Sequence, residues 1–538
     1  MNLIGKNQTF FLKDKLFLLV FVVCAASILF RMNVYDPTIP VLMDSLSFFS
    51  YAIDIHVLGG LPENYTVSKP GWSILLSWLF SIFDFSETNS YMQIQRLASI
   101  FISGVTVFPL YFLCNIFVEK RYSIVAAVLF AFAPRLIENS MYGSTEPFFI
   151  LFITMTILFF LKNSKKYIYV SFLFAGISTI IRPEGFFLFL AISLMLIFKF
   201  KNEKFKFPKY LCAIIIFTVV LLPFALHDEY VNPETSIFSR IIDSPSQYFQ
   251  TSDEEVRTNS GDLVITTSKI SVITGIEYFT KYLGWVLIPI FIIIAPIGFF
   301  LFLKNRSFAR ISIVVITIFT AIPAFYAYSF PLPESKYLYF LFPSFTIFSI
   351  IPIKLFAEKF QKKNAILSII LSVIIVSSVL FYYYQFDPNH DVESSLIAKH
   401  VVDNTTMVNT YYPESIFIKS LDIPQKWSDL KSFHENADRT KRPMGYNAIV
   451  NYIPHKIVGI NPDKFESAES FILEYDKQFS HLIVDSMDNR PKFLKDIFEN
   501  EDVYPYLIKE WDSKNEGFTY HVKIFKIDYD LFNLEAEK

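Results

Sequence analysis

Four cations in a strongly apolar chain each have a carboxylate close by in sequence: Lys69 with Glu63, Arg135 with Glu138, Arg182 with Glu184, and Lys336 with Glu334. Each cation sits at one end of an apolar segment or on the loop beside it. Among them runs an acidic stretch from Tyr35 to Trp72, carrying Asp36, Asp44, Asp54 and Glu63 and closing in Lys69-Pro70-Gly71-Trp72. An ionisable side chain costs about 2.5–3.5 kcal/mol near the centre of a membrane helix, and less at its ends, so such residues usually line a polar cavity. Snorkelling or a local ion pair accounts for any one of the four. Four from separate connections point instead to a common site. Cations gathered at a lipid surface suit a phosphate, with Lys as a point charge and Arg as a fork, and neighbouring acids then supply the chemistry.

The elements that must position these residues are apolar helices. Of 538 residues, 53% are hydrophobic, and the mean hydropathy is +0.40. That places the chain among polytopic α-helical membrane proteins. Gly is scarce (15) beside Phe (61) and Tyr (30), so glycine-dependent helix crossings do not dominate the packing. The net charge of −2 gives no case for nucleic acid as a partner. Cys24, Cys114 and Cys212 all lie in apolar segments, which fits small core residues rather than a disulfide framework.

Spans are expected near 16–30, 94–117, 124–136, 147–161, 167–181, 185–198, 211–226, 283–303, 311–330, 337–353 and 366–384, about eleven in all. The first could be read as a signal peptide, since Ala25-Ala26-Ser27 is small, but a retained helix suits the apolar sequence that follows. Basic residues collect in alternate loops, such as Lys162, Lys165 and Lys166, or Lys199 to Lys209. The positive-inside rule then puts the N-terminus in the cytoplasm of a multi-pass cell-membrane protein. It puts outside the loop 32–93, the long loop 228–280 and everything after 384. Residues 72–83 are too short to cross and read as an interfacial helix with Trp72 and Trp78 at headgroup level. The long loop, with Ser-Asp-Glu-Glu at 252–255, reads equally as a lid, an acceptor platform or a loop without order.

From 385 to 538 the composition becomes that of a soluble domain. Helices are expected at 396–402, 465–475 and 491–499, strands at 407–411, 455–460 and 481–485, and an edge hairpin at 518–527. That makes a transmembrane unit, 1–384, followed by an extracytoplasmic α/β domain, 385–538. Trp427 and Trp511 suit core packing better than sugar stacking. Asn64-Tyr-Thr and Asn404-Thr-Thr match the short glycosylation acceptor pattern.

The succession Asp44-Ser45-Leu46-Ser47, Lys69-Pro70-Gly71-Trp72, Ser144-Thr145-Glu146-Pro147, Arg182-Pro183-Glu184-Gly185 and Lys336-Tyr337-Leu338 resembles the polytopic GT-C glycosyltransferases. Within them it is most similar to the protein mannosyltransferase and aminoarabinose transferase branch, particularly archaeal members, over residues 15 to 385. The resemblance implies a polyprenyl-phosphate sugar donor and transfer at the outer face to a protein, glycan or lipid acceptor. It also implies a catalytic acid in the first outer loop, which Asp44 matches, and a lysine on lipid phosphate, which Lys69 matches. Arg182, Lys336 and Tyr337 join Lys69 as donor-binding residues, and Glu146, Glu138 and Glu184 as residues that orient the sugar or acceptor. Asp44 and Glu146 are the ligands for a divalent ion, Mg or Mn, should one be used. Ser45 stands where many relatives have a second acid, and Lys336 where many have Arg. The Trp-Trp-Asp-Tyr-Gly signature of oligosaccharyltransferases is absent from the sequence.

The expected reaction is an inverting displacement. Phosphate leaves as a stable anion, so cations replace the second carboxylic acid that a glycosidase needs. Asp44 is then the general base on the acceptor hydroxyl. The alternative for Asp44 is an N-cap on a helix starting at Ser45. Asp36 and Asp54 read as solvated loop acids. A competing reading of the whole chain is a transporter or flippase of polyprenyl-linked glycans, which would share the phosphate site without needing Asp44.

Overall fold

The computed structural model describes residues 15–233 except 38, 40, 42, 64, 68, 163, 202–205 and 232, together with 272–329, 334–385, 388–404, 410–411, 423–437, 465–474, 479–487 and 490–536. The expected strand at 455–460 and the acidic run at 252–255 lie outside these residues, as does Asn64.

The apolar runs fold as helices because a helix closes its own backbone hydrogen bonds, the only arrangement besides a closed barrel that lipid tolerates. Among the described residues, six helices are long and apolar enough to cross a membrane. They include α1 (Lys15–Val34), the continuous α4 (Thr88–Val105) and α5 (Val107–Cys114), and α11 (Lys206–Val231). Two bent pairs raise the number to eight. One is α6 (Lys120–Ala131) with α7 (Pro134–Met141), bent by 51°; the other is α12 (Val272–Leu287) with α13 (Phe291–Leu303), bent by 108°. Pro134 opens α7, where its missing N–H does no harm but the preceding helix must stop. Three shorter apolar helices, α8 (Glu146–Leu161), α9 (Lys165–Ile181) and α10 (Gly185–Lys199), complete the central packing. Then come α14 (Phe308–Ser329), a 3-10 turn (Ser335–Leu341) running into α15 (Phe342–Ala357), and α16 (Lys363–Gln385). Each of the eleven expected spans thus falls on a helix or a bent pair, but only eight on ones long and apolar enough to cross, α8, α9 and α10 being shorter; the protein is a multi-pass membrane protein.

Two helices between α1 and α4 lie outside the expected spans. They are α2 (Met43–Leu58) and α3 (Pro70–Phe80), and they pack on each other through Phe49, Leu76 and Phe80. The expectation for α3 needs correction. Trp78 is 62% exposed, as an interfacial residue would be, but Trp72 is fully buried and its indole N–H donates to the Gly143 carbonyl at 2.9 Å. A tryptophan that satisfies its N–H inside the protein has no call for the headgroup layer.

The C-terminal region holds α17 (Pro388–Asn404), β1 (Thr410–Tyr411), α18 (Trp427–Asn436), α19 (Ala468–Glu474), β2 (His481–Asp485), α20 (Lys492–Glu499), β3 (Leu507–Asp512), β4 (Val522–Ile527) and α21 (Tyr529–Ala536). The four strands form one sheet in the order β1-β2-β4-β3, with β1 parallel to β2 and the other pairs antiparallel. The hairpin expected at 518–527 is not an edge: β4 is flanked on both sides, and β3 is the outer strand. The alternation Lys-Glu-Trp-Asp at 509–512 concealed β3, which is mostly solvent-facing and carries a register shift at Lys509–Trp511. Trp511 stacks on His400 of α17, 4.4 Å between ring centres.

Candidate active site

Lys69, Arg182 and Lys336, far apart in sequence, meet at one end of the helical unit with Asp44, Glu146 and Glu184. Local geometry explains how. Pro70 begins α3, and Gly71 lets its backbone press against the end of α9: a Cβ on Gly71 would lie 2.9 Å from the Ile181 Cα. Only glycine fits that approach, and it delivers Lys69 beside Arg182. Gly185 repeats the device after Arg182-Pro183-Glu184, since a Cβ there would lie 2.6 Å from the Thr179 nitrogen. The turn between α9 and α10 is thereby held tight against α9.

Arg182 is fully buried and acts as a clamp. Its Nη2 donates to Glu184 Oε1 at 2.6 Å, its Nε approaches both Glu184 oxygens at 3.3 Å, and its Nη1 pairs with Glu146 and donates to Thr145 Oγ1 at 3.2 Å. Glu146 is 3% exposed and opens α8, with Pro147 following it in the first turn. Burial pushes the Glu184 carboxyl up, but Arg182 and Lys69 outweigh it and hold the group at about 2. Burial pushes Arg182 down, yet the two carboxylates raise it above the ordinary guanidinium value.

Asp44 lies on the accessible side of this cluster. It falls inside the first turn of α2, which begins at Met43, so it is not the N-cap of a helix starting at Ser45. Its side chain is 47% exposed and accepts from Lys336 Nζ at 2.8 Å, while the same Nζ lies 2.7 Å from Glu334. Burial raises the Asp44 carboxyl; Lys336, Lys69 and Arg182 lower it further than that, to about 2. Lys69 is half-buried, with its pKa lowered by burial and by Arg182, and the carboxylates of Asp44 and Glu184 only partly restore it. Its expected partner was Glu63; the charges that act on it are those of the cluster.

Tyr337 neighbours Lys336 and lies within electrostatic reach of Arg182 and Glu184. Glu138 belongs to a second group. It pairs with Arg135 at 3.6 Å and accepts from Tyr142 at 3.2 Å, and Arg135 lies 4.8 Å over the Trp285 ring. Tyr339, within reach of Glu138, Arg135 and Glu146, links the two groups.

Asp54 was expected to be a solvated loop acid and is fully buried. Tyr65 donates to its Oδ2, and His434 Nδ1, from α18, lies 2.8 Å from its Oδ1. His434 itself carried no signal, since a lone histidine in a polar helix has no spacing to betray it. Arg31 also went unremarked. It is buried at the end of α1 and donates to the Ala131 carbonyl at 2.9 Å and to Ser140 at 3.0 Å, tying α1 to α6 and α7.

The residues do not fit a divalent cation. No group of three or more His, Cys, Asp or Glu gathers around one point among the described residues. Asp44 and Glu146, the expected ligands, are each already opposed by a cation, and the fields of Lys69, Arg182 and Lys336 act on both. A metal ion placed between them would meet that positive charge.

Residues 69–227 match the family model of dolichyl-phosphate-mannose-protein mannosyltransferases, a stretch that takes in Lys69, Glu138, Glu146, Arg182 and Glu184. Among solved structures, the chain is similar to ArnT from Cupriavidus metallidurans bound to undecaprenyl phosphate. The TM-score is 0.50 at 10% identity, over 94% of this chain and 97% of that one. It also matches the oligosaccharyltransferase AglB from Archaeoglobus fulgidus, in complex with an inhibitory peptide and a dolichol-phosphate, with a TM-score of 0.49 and 12% identity over 87% and 69% of the two chains. The form of that enzyme with Zn and sulfate matches at 0.45 and 12%, over 86% and 68%. No curated protein matches the sequence.

Proposed function

We propose that this protein is a glycosyltransferase that takes a sugar from a polyprenyl-phosphate donor and delivers it, at the outer face of the membrane, to a protein, glycan or lipid acceptor. In this reading the N-terminus is cytoplasmic and the C-terminal unit lies outside. The observation that carries the reading is the meeting of Lys69, Arg182 and Lys336 around the half-exposed Asp44. The dolichyl-phosphate-mannose family match and the undecaprenyl phosphate held by the ArnT neighbour support a polyprenyl carrier.

The chemistry follows from the charges. Asp44 takes the proton of an acceptor hydroxyl, whose oxygen attacks the anomeric carbon. The bond from that carbon to the phosphate oxygen breaks on the opposite face, and its electron pair goes to the phosphate. The configuration therefore inverts, and the phosphate gains one negative charge. Lys69 and Lys336 stabilise that charge directly; Arg182, already committed to Glu146 and Glu184, adds its field and fixes both acids where they can orient the sugar or acceptor. Tyr337 flanks the phosphate, and Glu138 borders the acceptor side through Tyr339.

A carboxylate at about 2 is a poor base. The ion pair supplies the remedy, because an arriving phosphate competes with Asp44 for Lys336. As the lysine turns to the donor, the Asp44 carboxylate loses its main counter-charge and becomes more basic. The donor thereby activates the base at the moment it is needed.

The test uses membranes carrying the full chain, with labelled dolichyl-phosphate mannose as the donor probe. Asp44→Asn is expected to lower transfer by about 10²- to 10⁴-fold, and Asp36→Asn to leave it near wild type. Equal losses at equal expression would remove Asp44 from its role. Donor that is bound but never cleaved with any acceptor would favour transport over transfer.

A further inference from the structure

The geometry points to His434, in the C-terminal region, as a positioning residue for the helix that carries Asp44. This rests on the role given to Asp44 above and extends it to a residue 390 positions away. The segment 423–436 lies against the first outer loop. The Thr88 amide donates to the Gln425 carbonyl at 2.8 Å and the Trp427 amide to the Ser86 carbonyl at 2.9 Å. Trp427 stacks on Tyr91, 3.8 Å between ring centres, and meets Phe49 of α2 and Phe80 of α3 edge-on. Leu430 is buried in the same cluster. One turn further on, His434 reaches Asp54 at 2.8 Å, and neither side chain has any exposed surface.

Asp54 and Asp44 stand on the same helix, ten residues and so about 15 Å apart along its axis. The Asp44 end of α2 is held by Gln95, whose amide donates to the Ser45 carbonyl at 2.8 Å, and by Ser73, which donates to the Phe48 carbonyl at 2.9 Å. The opposite end is held by His434 and by Tyr65, one on each oxygen of Asp54. A stiff helix pinned at both ends cannot tilt. Released at the Asp54 end, it can pivot about the Ser73–Phe48 contact, about 6 Å along the axis from Asp44, and a displacement of about 1 Å at the reacting group is enough to cost about a hundredfold in rate. The α18 segment is therefore part of the apparatus that aims the base, and His434 acts through Asp54 and α2 without touching substrate.

The test compares His434→Asn, whose amide can donate from near the Nδ1 position, with His434→Leu, which keeps bulk but cannot donate. Both are made in the full-length protein in lipid nanodiscs, and amide exchange is followed across 43–58, with strand 481–485 as the internal reference. Loss of a hydrogen bond to a charged group should speed exchange in 43–58 by about tenfold or more in the Leu variant. The Asn variant should stay within about threefold of wild type, and the reference strand should not change in either. With dolichyl-phosphate mannose as donor probe, kcat should fall in the Leu variant while the donor KM holds, because Lys69 lies off α2. Protection of 43–58 that is unchanged in the Leu variant, or lost equally in both, overturns the inference. So does loosening that extends to 481–485. If His434→Leu cannot be recovered folded, the Asn variant decides alone: unprotected 43–58 there overturns the inference, and wild-type protection with wild-type kcat supports it. If wild type neither binds undecaprenyl phosphate nor cleaves the donor probe, the transferase reading fails, while the exchange comparison still decides whether His434 sets α2.

Discussion

Replacing Arg182 by Met should destabilise the helical unit through what it leaves behind. The guanidinium has no exposed surface, and its partners Glu146 and Glu184 are 3% and 14% exposed at the side chain, so water screens neither. Removing one member of a buried ion cluster costs about 3–5 kcal/mol, chiefly the penalty of the charges left uncompensated. Here one cation answers two carboxylates, and Lys69 and Lys336 supply a partial field to both. A chain of this size unfolds with an entropy that converts the loss into a midpoint shift of about 3–4 °C. The assay is thermal unfolding of the detergent-solubilised full chain, as a double-mutant cycle. Adding Glu146→Gln to Arg182→Met removes one stranded charge and should recover about half of the loss. A single variant within 1 °C of wild type, or a double variant whose losses simply add, would refute the reasoning. In that case Arg182 would be available as a direct ligand rather than a clamp.

Lys69→Gln should weaken binding of undecaprenyl phosphate by about tenfold or more, read by fluorescence quenching or calorimetry at fixed ionic strength, while leaving the Arg182 clamp intact. Lys336→Gln should move the acid limb of transfer to higher pH. Asp44 is lowered to about 2, so the base is ionised throughout the usual range and the stability from its ion pair is lost only as pH falls from about 4 through about 2. Without Lys336, burial acts against fewer counter-charges and the limb rises, so a pH–rate profile identical to wild type would contradict the assignment. Gly71→Ala should reduce both midpoint and transfer, because the methyl would meet the backbone at Ile181. Normal stability with normal transfer would show that α3 can shift freely.

Much of the helical unit is legible in the sequence because lipid imposes a simple code of apolar length on the helices that cross it. Three cations of the candidate cluster were legible as well. Lys69, Arg182 and Lys336 stand out because a cation at the end of an apolar run needs a reason. What the sequence concealed depends on packing. Asp54 and Asp36 are both acids of the stretch before Trp72; Ile53 and Ile55 flank the buried one, but only the packing of α18 brings His434 to it. Trp72 and Trp78 look alike as interfacial residues until Gly143 offers a carbonyl to the first. β3 was missed because a solvent-facing strand with a bulge alternates poorly.

The docking of segment 423–436 onto α2, α3 and the start of α4 sets an order for the protein's biogenesis. Asp54 leaves the ribosome 380 residues ahead of His434, a delay of about 20–80 s at ordinary rates of synthesis. During that interval the helix that carries Asp44 emerges without its distant partner, and Tyr91 and Phe80 wait for Trp427. This face can therefore close only after the earlier helices are in place. A nascent chain stopped before residue 423 would be inserted yet unfinished, offering chaperones an apolar surface that the mature protein conceals.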